Sequence, residues 1–248
     1  MGATVLQLSD THLAADPAAR VHGRDPARRL AAVVAAVGCP VDLVLLTGDI
    51  TDDGSEPACR RVADLLAPLG APVVAVPGNH DAGPEVEAVF GPPLPAELGG
   101  WSVVAVSSRL AGRIEGAVEP DDVLGLLDDV GGRPTLLALH HPPAGPSTHP
   151  WFQLGGAAGL LAGLAARPQV RLVLSGHLHQ PFERRLDDVV ALGAPSTLYA
   201  IRHDGDHWHA DDSLPCGARL VHLDGGGAWR SELVGIGAEV GAGAPERA

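Results

Sequence analysis

Short apolar runs recur along the chain, with turn-forming polar stretches between them. Residues 4–8, 43–46, 72–76, 101–106, 135–139 and 170–174 are nearly continuous apolar segments, as strands buried on both faces are. Helical periodicity fills the gaps. Leu30, Val33, Val34 and Val37 fall at i, i+3, i+4 and i+7; Asp25-Pro26 supplies an N-cap and first helical residue before them, and Gly38 a stop behind. Residues 56–66, 121–127 and 159–165 are further predicted helices. From about Phe182 the pattern changes to short runs, 189–192, 197–201, 219–223 and 229–233, separated by turns and predicted as antiparallel strands. The alternation predicts an α/β fold, one domain over residues 1–234, and a small, polar, flexible C-terminal tail over 235–248.

Composition narrows the functions open to such a fold. Acids outnumber bases 30 to 17, every base is arginine, and the net charge is −13. Arginines cluster only as the pairs Arg28-Arg29, Arg60-Arg61 and Arg184-Arg185, so the chain lacks the basic face that binding duplex nucleic acid requires. An anionic substrate needs a local cation, such as bound metal, to offset this field. Cys39, Cys59 and Cys216 are odd in number and scattered, which fits a reducing cytoplasm rather than a disulfide framework. No leader pattern and no membrane-length apolar run is present, so a cytoplasmic protein without a membrane partner is expected. Asn79 is the only asparagine.

The chemistry lies in the loops that leave the strands. Ser9-Asp10-Thr11-His12 comes after the first, Thr47-Gly48-Asp49 after the second, and Gly78-Asn79-His80-Asp81 after the third. His140-His141-Pro142 and Ser175-Gly176-His177-Leu178-His179 come after two later ones. Ligands bind at the carboxyl ends of strands in α/β sheets, so these five loops gather three Asp, one Asn and six His at one edge. In extended backbone, Asp10 with His12 and His177 with His179 each present two donors on one side. Mixed carboxylate and imidazole donors suit zinc, iron, manganese or cobalt. Seven such donors exceed one tetrahedral site and suit two ions sharing a carboxylate. The glycines before Asp49, Asn79 and His177 let backbone approach closely.

In this order the blocks D-T-H, G-D, G-N-H-D, H-x-P and G-H-x-H resemble the signature of the calcineurin-like metallophosphoesterases, over about two thirds of the chain. The resemblance implies a four-layer α-β-β-α sandwich of two mixed sheets, a metallo-dependent phosphatase-like fold. It also implies two divalent or trivalent transition-metal ions (Fe, Mn, Zn or Co) per chain. One ion takes Asp10, His12, Asp49 and His179; the second takes Asp49, Asn79, His140 and His177, with Asp49 bridging. His140 is preferred over His141 because the family's ligand precedes x-Pro. His80 then faces the phosphate and supports the leaving oxygen, with Asp81 as its orienting carboxylate. The implied reaction is phosphoester hydrolysis, a hydroxide held between the ions attacking phosphorus.

A narrower likeness is carried by residues 22–30 (H-G-R-D-P-A-R-R-L), 140–143 (H-H-P-P), 193–199 (G-A-P-S-T-L-Y) and 214–225. These resemble the class III cyclic-nucleotide phosphodiesterase branch and imply a small phosphoester substrate such as 3′,5′-cyclic AMP. A phosphomonoesterase or another phosphodiesterase, acting on glycerophosphodiesters or nucleotide-derived metabolites, is the alternative; a non-catalytic scaffold of the same fold is the remote one. His149, Trp151 and Phe152, in the short cap-forming stretch 143–156, are candidate substrate contacts. His141 is a candidate contact or a support for its neighbours. A homodimer through the late strands is implied by the family alone. The His- and Asp-rich segment 203–212 is expected to be an exposed hairpin connection, with a place at the site entrance or a dimer contact as the other option. His22 is expected in a loop near the site.

Overall fold

Two sheets pack face to face in the computed structural model, which describes residues 2–236. The first has the order Trp229–Ile236, Cys216–Leu223, Ala3–Leu8, Leu43–Thr47, Val73–Val76; the last three strands are parallel and the two late strands antiparallel. The second runs Phe182–Leu186, Val189–Gly193, Val170–Ser175, Thr135–Ala138, Trp101–Ala105, Ala96–Leu98, with the outermost strand on each side antiparallel.

Three apolar clusters fill the gaps between layers. Val5, Leu45, Val76 and Val221 of the first sheet meet Trp101, Leu136, Leu172 and Leu192 of the second in the middle cluster. On its other face the first sheet packs Leu6, Leu8, Val44 and Leu46 against Leu30, Val33, Val62 and Val86 of helices Pro26–Ala36, Glu56–Leu66 and Gly83–Phe90. The second packs Val104, Leu137 and Val173 against Leu127, Leu160 and Leu164 of helices Pro120–Asp129 and Ala157–Ala165. Each inner strand thus faces a core on both sides, which is why its sequence is apolar without alternation. This is the α-β-β-α sandwich.

Several elements depart from the pattern-based expectation. The first helix begins as predicted, Asp25 Oδ1 accepting from the Arg28 N–H at 3.0 Å. It ends at Ala36 because Val37 turns extended (φ −70°, ψ 105°), not through a left-handed Gly38. Val189–Gly193 pairs parallel with Val170–Ser175 as well as antiparallel with Phe182–Leu186. Residues 197–200 form a loop and the strand begins only at Ile201. Helix Gly83–Phe90 and strands Ala96–Leu98 and Phe182–Leu186 add to the predicted set. Gly235 and Ile236, expected at the head of the tail, belong to a strand; residues 237–248 lie outside the described residues. Among the described residues no helix is long and apolar enough to cross a membrane.

Candidate metal centre

Leu8, Thr47 and Val76 of the first sheet and Ala138 and Ser175 of the second end at one edge, and the loops beyond them interlock. Asp10 N–H donates to Gly48 O and His12 N–H to Asp49 O, both at 3.0 Å, and Gly176 N–H donates to His140 O at 3.0 Å. His177 N–H reaches across the sheets to Asp10 Oδ1 at 3.1 Å. These loops are strained. Asp10, His12, Asp49, His177 and His179 have φ of 55°, 49°, 46°, 68° and 50°, five of the seven non-glycine residues with positive φ among the described residues. Such backbone costs about 1–3 kcal/mol per residue and persists where the surroundings hold it. The expected extended geometry of the i, i+2 pairs is therefore replaced by left-handed turns. Asp10 and His12 still share one donor group, whereas His177 and His179 go to different groups.

Two glycines are steric requirements of this packing. A Cβ on Gly48, itself at φ +90°, would lie 2.3 Å from His140 Nδ1; one on Gly78 would lie 2.2 Å from Asp49 Oδ1 and 2.3 Å from its backbone nitrogen.

Asp10, His12, Asp49 and His179 bring donor atoms within 4.8 Å of one another, and His140, His141 and His177 form a second group. Asp49 Oδ2 lies between them, 3.9 Å from His12 Nε2 and 3.5 Å from His140 Nε2, and Asn79 Oδ1 is 3.2 Å from His140 Nε2. The outer ring nitrogens meet backbone carbonyls: His140 Nδ1 donates to Thr47 O (2.7 Å), His179 Nδ1 to Tyr199 O (3.0 Å) and His177 Nε2 to Trp151 O (2.9 Å). A carbonyl only accepts, so the proton of each neutral ring sits outward and its lone pair points inward. When His140 is neutral, its Nε2 lone pair faces Asn79 Oδ1, acceptor against acceptor. His12 Nε2 and His179 Nε2 lie 3.2 Å apart. A cation between such atoms removes the conflict, so this mixed N/O donor set fits borderline divalent ions.

The electrostatics agree. Burial holds His177 and His179 well below the usual histidine range and raises Asp10 to about 6. Burial also pushes Asp49 up, but His140 and His12 outweigh it and keep the carboxyl well below its ordinary range. Against burial, Asp49 lifts His140 to about 9; a cation shared by the two would take that proton's place.

His80 and Asp81 part company. The Asp81 carboxylate is 1% exposed and turns inward, accepting from the backbone N–H groups of Ile50, Thr51 and Gly78 and from Thr51 Oγ1. It fastens the Asp49 loop to the Asn79 loop and leaves no oxygen for His80. The expectation that Asp81 orients His80 is thereby overturned. Asp52 takes that place, its Oδ1 lying 3.4 Å from His80 Nδ1 and 3.3 Å from His12 Nδ1. The Asp52 contact, chiefly, raises His80 to about 9, and His12 and His80 hold Asp52 far below the carboxylate range. The sequence signal was the spacing: Asp52 comes one tight turn after Asp49.

A cleft of about 220 Å³ opens over these groups. His12, Asp49, Asn79, His80, His177 and His179 form its floor, with Tyr199, Ile114, Trp151, Phe152, Ile201 and Trp208 in the walls. Of the residues expected at the substrate, Trp151 and Phe152 line this cleft. His149 lies outside the lining and caps the turn Pro150–Phe152 by accepting from Trp151 N–H at 3.2 Å. His141 lies outside it too. Ser108 Oγ (2.8 Å) and Ile114 O (2.9 Å) occupy both its nitrogens, and burial keeps it neutral with a pKa pushed down to about 3. It backs His140, ring centroids 4.8 Å apart. His22 lines the cleft edge against Tyr199 at 4.7 Å. Segment 203–212 falls largely within a hairpin, Ile201–Asp204 with His207–Ala210, that borders the entrance and supplies Trp208. Asp52, Tyr199 and Trp208 were not among the residues expected from sequence.

Comparison with known proteins agrees with this geometry. The family model described as calcineurin-like phosphoesterase matches residues 3–181. A probable cyclic nucleotide phosphodiesterase of Synechococcus sp. is 35% identical, covering 94% of this chain and 92% of its own. The 3′,5′-cyclic adenosine monophosphate phosphodiesterase CpdA of Pseudomonas aeruginosa is 36% identical, covering 88% and 85%. Among solved structures, a dimetal phosphatase from Danio rerio superposes with a TM-score of 0.67 at 15% identity, over 89% of this chain and 92% of that one, a likeness of fold. The ordered strand-end blocks, the four-layer sandwich and the family match lead to one conclusion: this chain belongs to the calcineurin-like phosphoesterase family.

Proposed function

We propose that this chain is a dinuclear metal-dependent phosphodiesterase acting on 3′,5′-cyclic nucleotides. The observation that carries the reading is the convergence of imidazole, carboxylate and amide donors around a shared carboxylate, Asp49, at the floor of an open cleft. Cyclic-nucleotide phosphodiesterases are also the relatives that match nearly the whole chain. Asp10, His12, Asp49 and His179 would hold one ion; Asp49, Asn79, His140 and His177 the other, with iron, manganese, zinc or cobalt suiting the donors. When bound, such a pair supplies Lewis acidity, neutralises phosphate charge and activates water near neutral pH.

The chain's own groups do the rest. Asn79 contributes a neutral oxygen, so the floor gains no further negative charge against an anionic ester. His80, kept protonated by Asp52, faces the cleft and gives its proton to the departing ribose oxygen. The Thr47, Tyr199 and Trp151 carbonyls hold the imidazoles in the tautomer that points lone pairs inward. Free thiols at Cys39, Cys59 and Cys216 suit a reducing cytoplasm, and the edge strand Trp229–Ile236 offers a surface for a homodimer. Three cores that draw on strands from Ala3 to Trp229 support residues 1–234 acting as one domain.

The test is kcat/KM of protein reconstituted with each metal on 3′,5′-cyclic, 2′,3′-cyclic, linear diester and monoester substrates. Preference for 3′,5′-cyclic nucleotides supports the proposal; a dominant monoesterase or glycerophosphodiesterase activity overturns it.

A further inference from the structure

We infer that Trp208 and Trp151 form a wall that reads the nucleobase, so that the cleft selects phosphoesters carrying an aromatic heterocycle. The inference rests on the phosphodiesterase reading above and adds its basis for substrate choice. Seven large hydrophobic side chains are exposed among the described residues, and three of them, Ile114 (39%), Trp151 (43%) and Trp208 (40%), line this one cleft. Folding gains nothing from large apolar groups left in water, and their gathering at one mouth marks a binding surface.

The two indoles come from separate parts of the chain. Trp151 sits on the turn Pro150–Phe152, and Trp208 on a hairpin strand paired only with its own partner. Their ring centroids are 5.8 Å apart with planes inclined at 46°, a V rather than a closed stack, and both side chains line the cleft. Phe152 stands behind them, 5.8 Å and nearly perpendicular to Trp208, and 5.2 Å from the His177 ring. The His177 Nε2–H bond to Trp151 O ties the wall to the floor. A phosphate seated on the floor therefore places the rest of the ester at a set distance from two π-faces. A ribose bearing a base can stack there; a glycerol or alkyl ester has no face to offer. Aromatic stacking on a base changes affinity by roughly 5- to 150-fold when the side chain is cut to alanine.

The rival explanation is that the tryptophans only cover Phe152. Substrate selectivity separates the two. Metal-reconstituted wild type, Trp208→Ala, Trp151→Ala and Trp208→Phe are compared on 3′,5′-cyclic AMP and on the 3′,5′-cyclic phosphate of methyl riboside, which has the same ring without a base. The expected result is a fall in the kcat/KM ratio of the first substrate over the second, about 5- to 150-fold in each alanine variant and largely restored in Trp208→Phe. An unchanged ratio overturns the wall, because a packing role lowers both substrates together. Calorimetry with AMP and ribose 5-phosphate keeps the inference separate from the activity. If wild type hydrolyses neither cyclic ester, the phosphodiesterase reading falls; AMP binding that is stronger than ribose 5-phosphate binding and weakened in Trp208→Ala still upholds the wall. Equal binding of the two ligands overturns it.

Discussion

Two regions of this molecule are rich in histidine and aspartate, and only one of them converges. The strand-end loops hold six of the twelve histidines and the hairpin segment 203–212 holds three more. In the loops, buried rings point inward and the outer nitrogens of His140, His177 and His179 meet carbonyls on other segments. In the hairpin, the His207 side chain is 90% exposed and its contact is its neighbour Asp206, at 3.5 Å. Composition is similar; what differs is backbone. Left-handed turns at five positions, braced by bonds between both sheets, aim the first set at shared points. A two-stranded hairpin sends successive side chains to opposite faces, which leaves His207 and His209 in water and turns His203 to a backbone carbonyl instead of a shared point. Donor residues make a site when several segments over-determine their directions, not when they are close in sequence.

The sharpest way to break this contrast is to remove a shared carboxylate from each region. Asp49→Asn keeps the shape and removes the charge between the two donor groups. Bound metal, measured by elemental analysis after desalting, is expected to fall well below the two ions per chain proposed for wild type, and turnover to background. Asp206→Asn is expected to change neither. Full metal content in Asp49→Asn would erase the distinction.

Next in size is the pair built within the converging region. His80→Ala is expected to cost on the order of 10²–10⁴-fold in kcat for esters with poor leaving groups and much less for activated aryl esters, with metal content intact. Equal loss on both classes would remove the leaving-group role. Asp52→Asn is expected to cost about 10- to 100-fold. Its signature is in pH. The Asp52 contact is the main reason that His80 protonates up to about 9, so wild-type turnover declines on the alkaline side as that proton is lost. Without the carboxylate, that decline moves to lower pH. Asp81→Asn should leave it in place and act through stability instead, since Asp81 holds four hydrogen bonds between two loops.

The contrast between Asp52 and Asp81 also shows how far sequence can be read. Strand positions and their terminal motifs were legible because burial on both faces leaves apolar runs, and the helices because Leu30 and Val33 repeat at helical spacing. Side-chain partners across loops were not. Asp81 adjoins His80 in sequence but faces the opposite way, while Asp52 reaches His80 only because the Asp49 turn folds back. Trp208 was hidden for the same reason: its contact with Trp151 joins segments far apart in the chain. Parallel pairing of Val189–Gly193 depended on which neighbour the second sheet left open, something no local pattern records.

Chelation measures the converging region as a whole. Two pairs of buried donor atoms, His12 Nε2 with His179 Nε2 and His140 Nε2 with Asn79 Oδ1, stand 3.2 Å apart where a bound cation would join them. Ligand linkage at a hundredfold excess over Kd is worth about 2.7 kcal/mol. At roughly 2–4 °C per kcal/mol for a chain of this size, Tm should drop by about 5–10 °C on chelation and recover with added metal. The same treatment of Asp49→Asn should shift Tm little, because less metal is there to remove.

The smallest effects come from the hairpin, and they divide it internally. His207 and His209 are exposed, so His207→Ala with His209→Ala should leave metal content, turnover and Tm within error. His203 differs although it lies on the same hairpin. It is 9% exposed, its Nε2–H donates to Leu178 O at 2.9 Å, and its ring meets Phe152 at 4.6 Å. Leu178 stands between His177 and His179, so this bond steadies the left-handed turn that sends those two rings to separate donor groups. His203→Ala leaves a buried carbonyl unpaired and should cost about 1–3 kcal/mol of stability. His203→Gln, which retains a donor, should recover part of it. Metal content should hold in both variants, because His203 offers its nitrogen to a carbonyl and not to the floor. A loss of bound metal in His207→Ala with His209→Ala would instead make the hairpin a second converging region, and the contrast would fail at its weakest point.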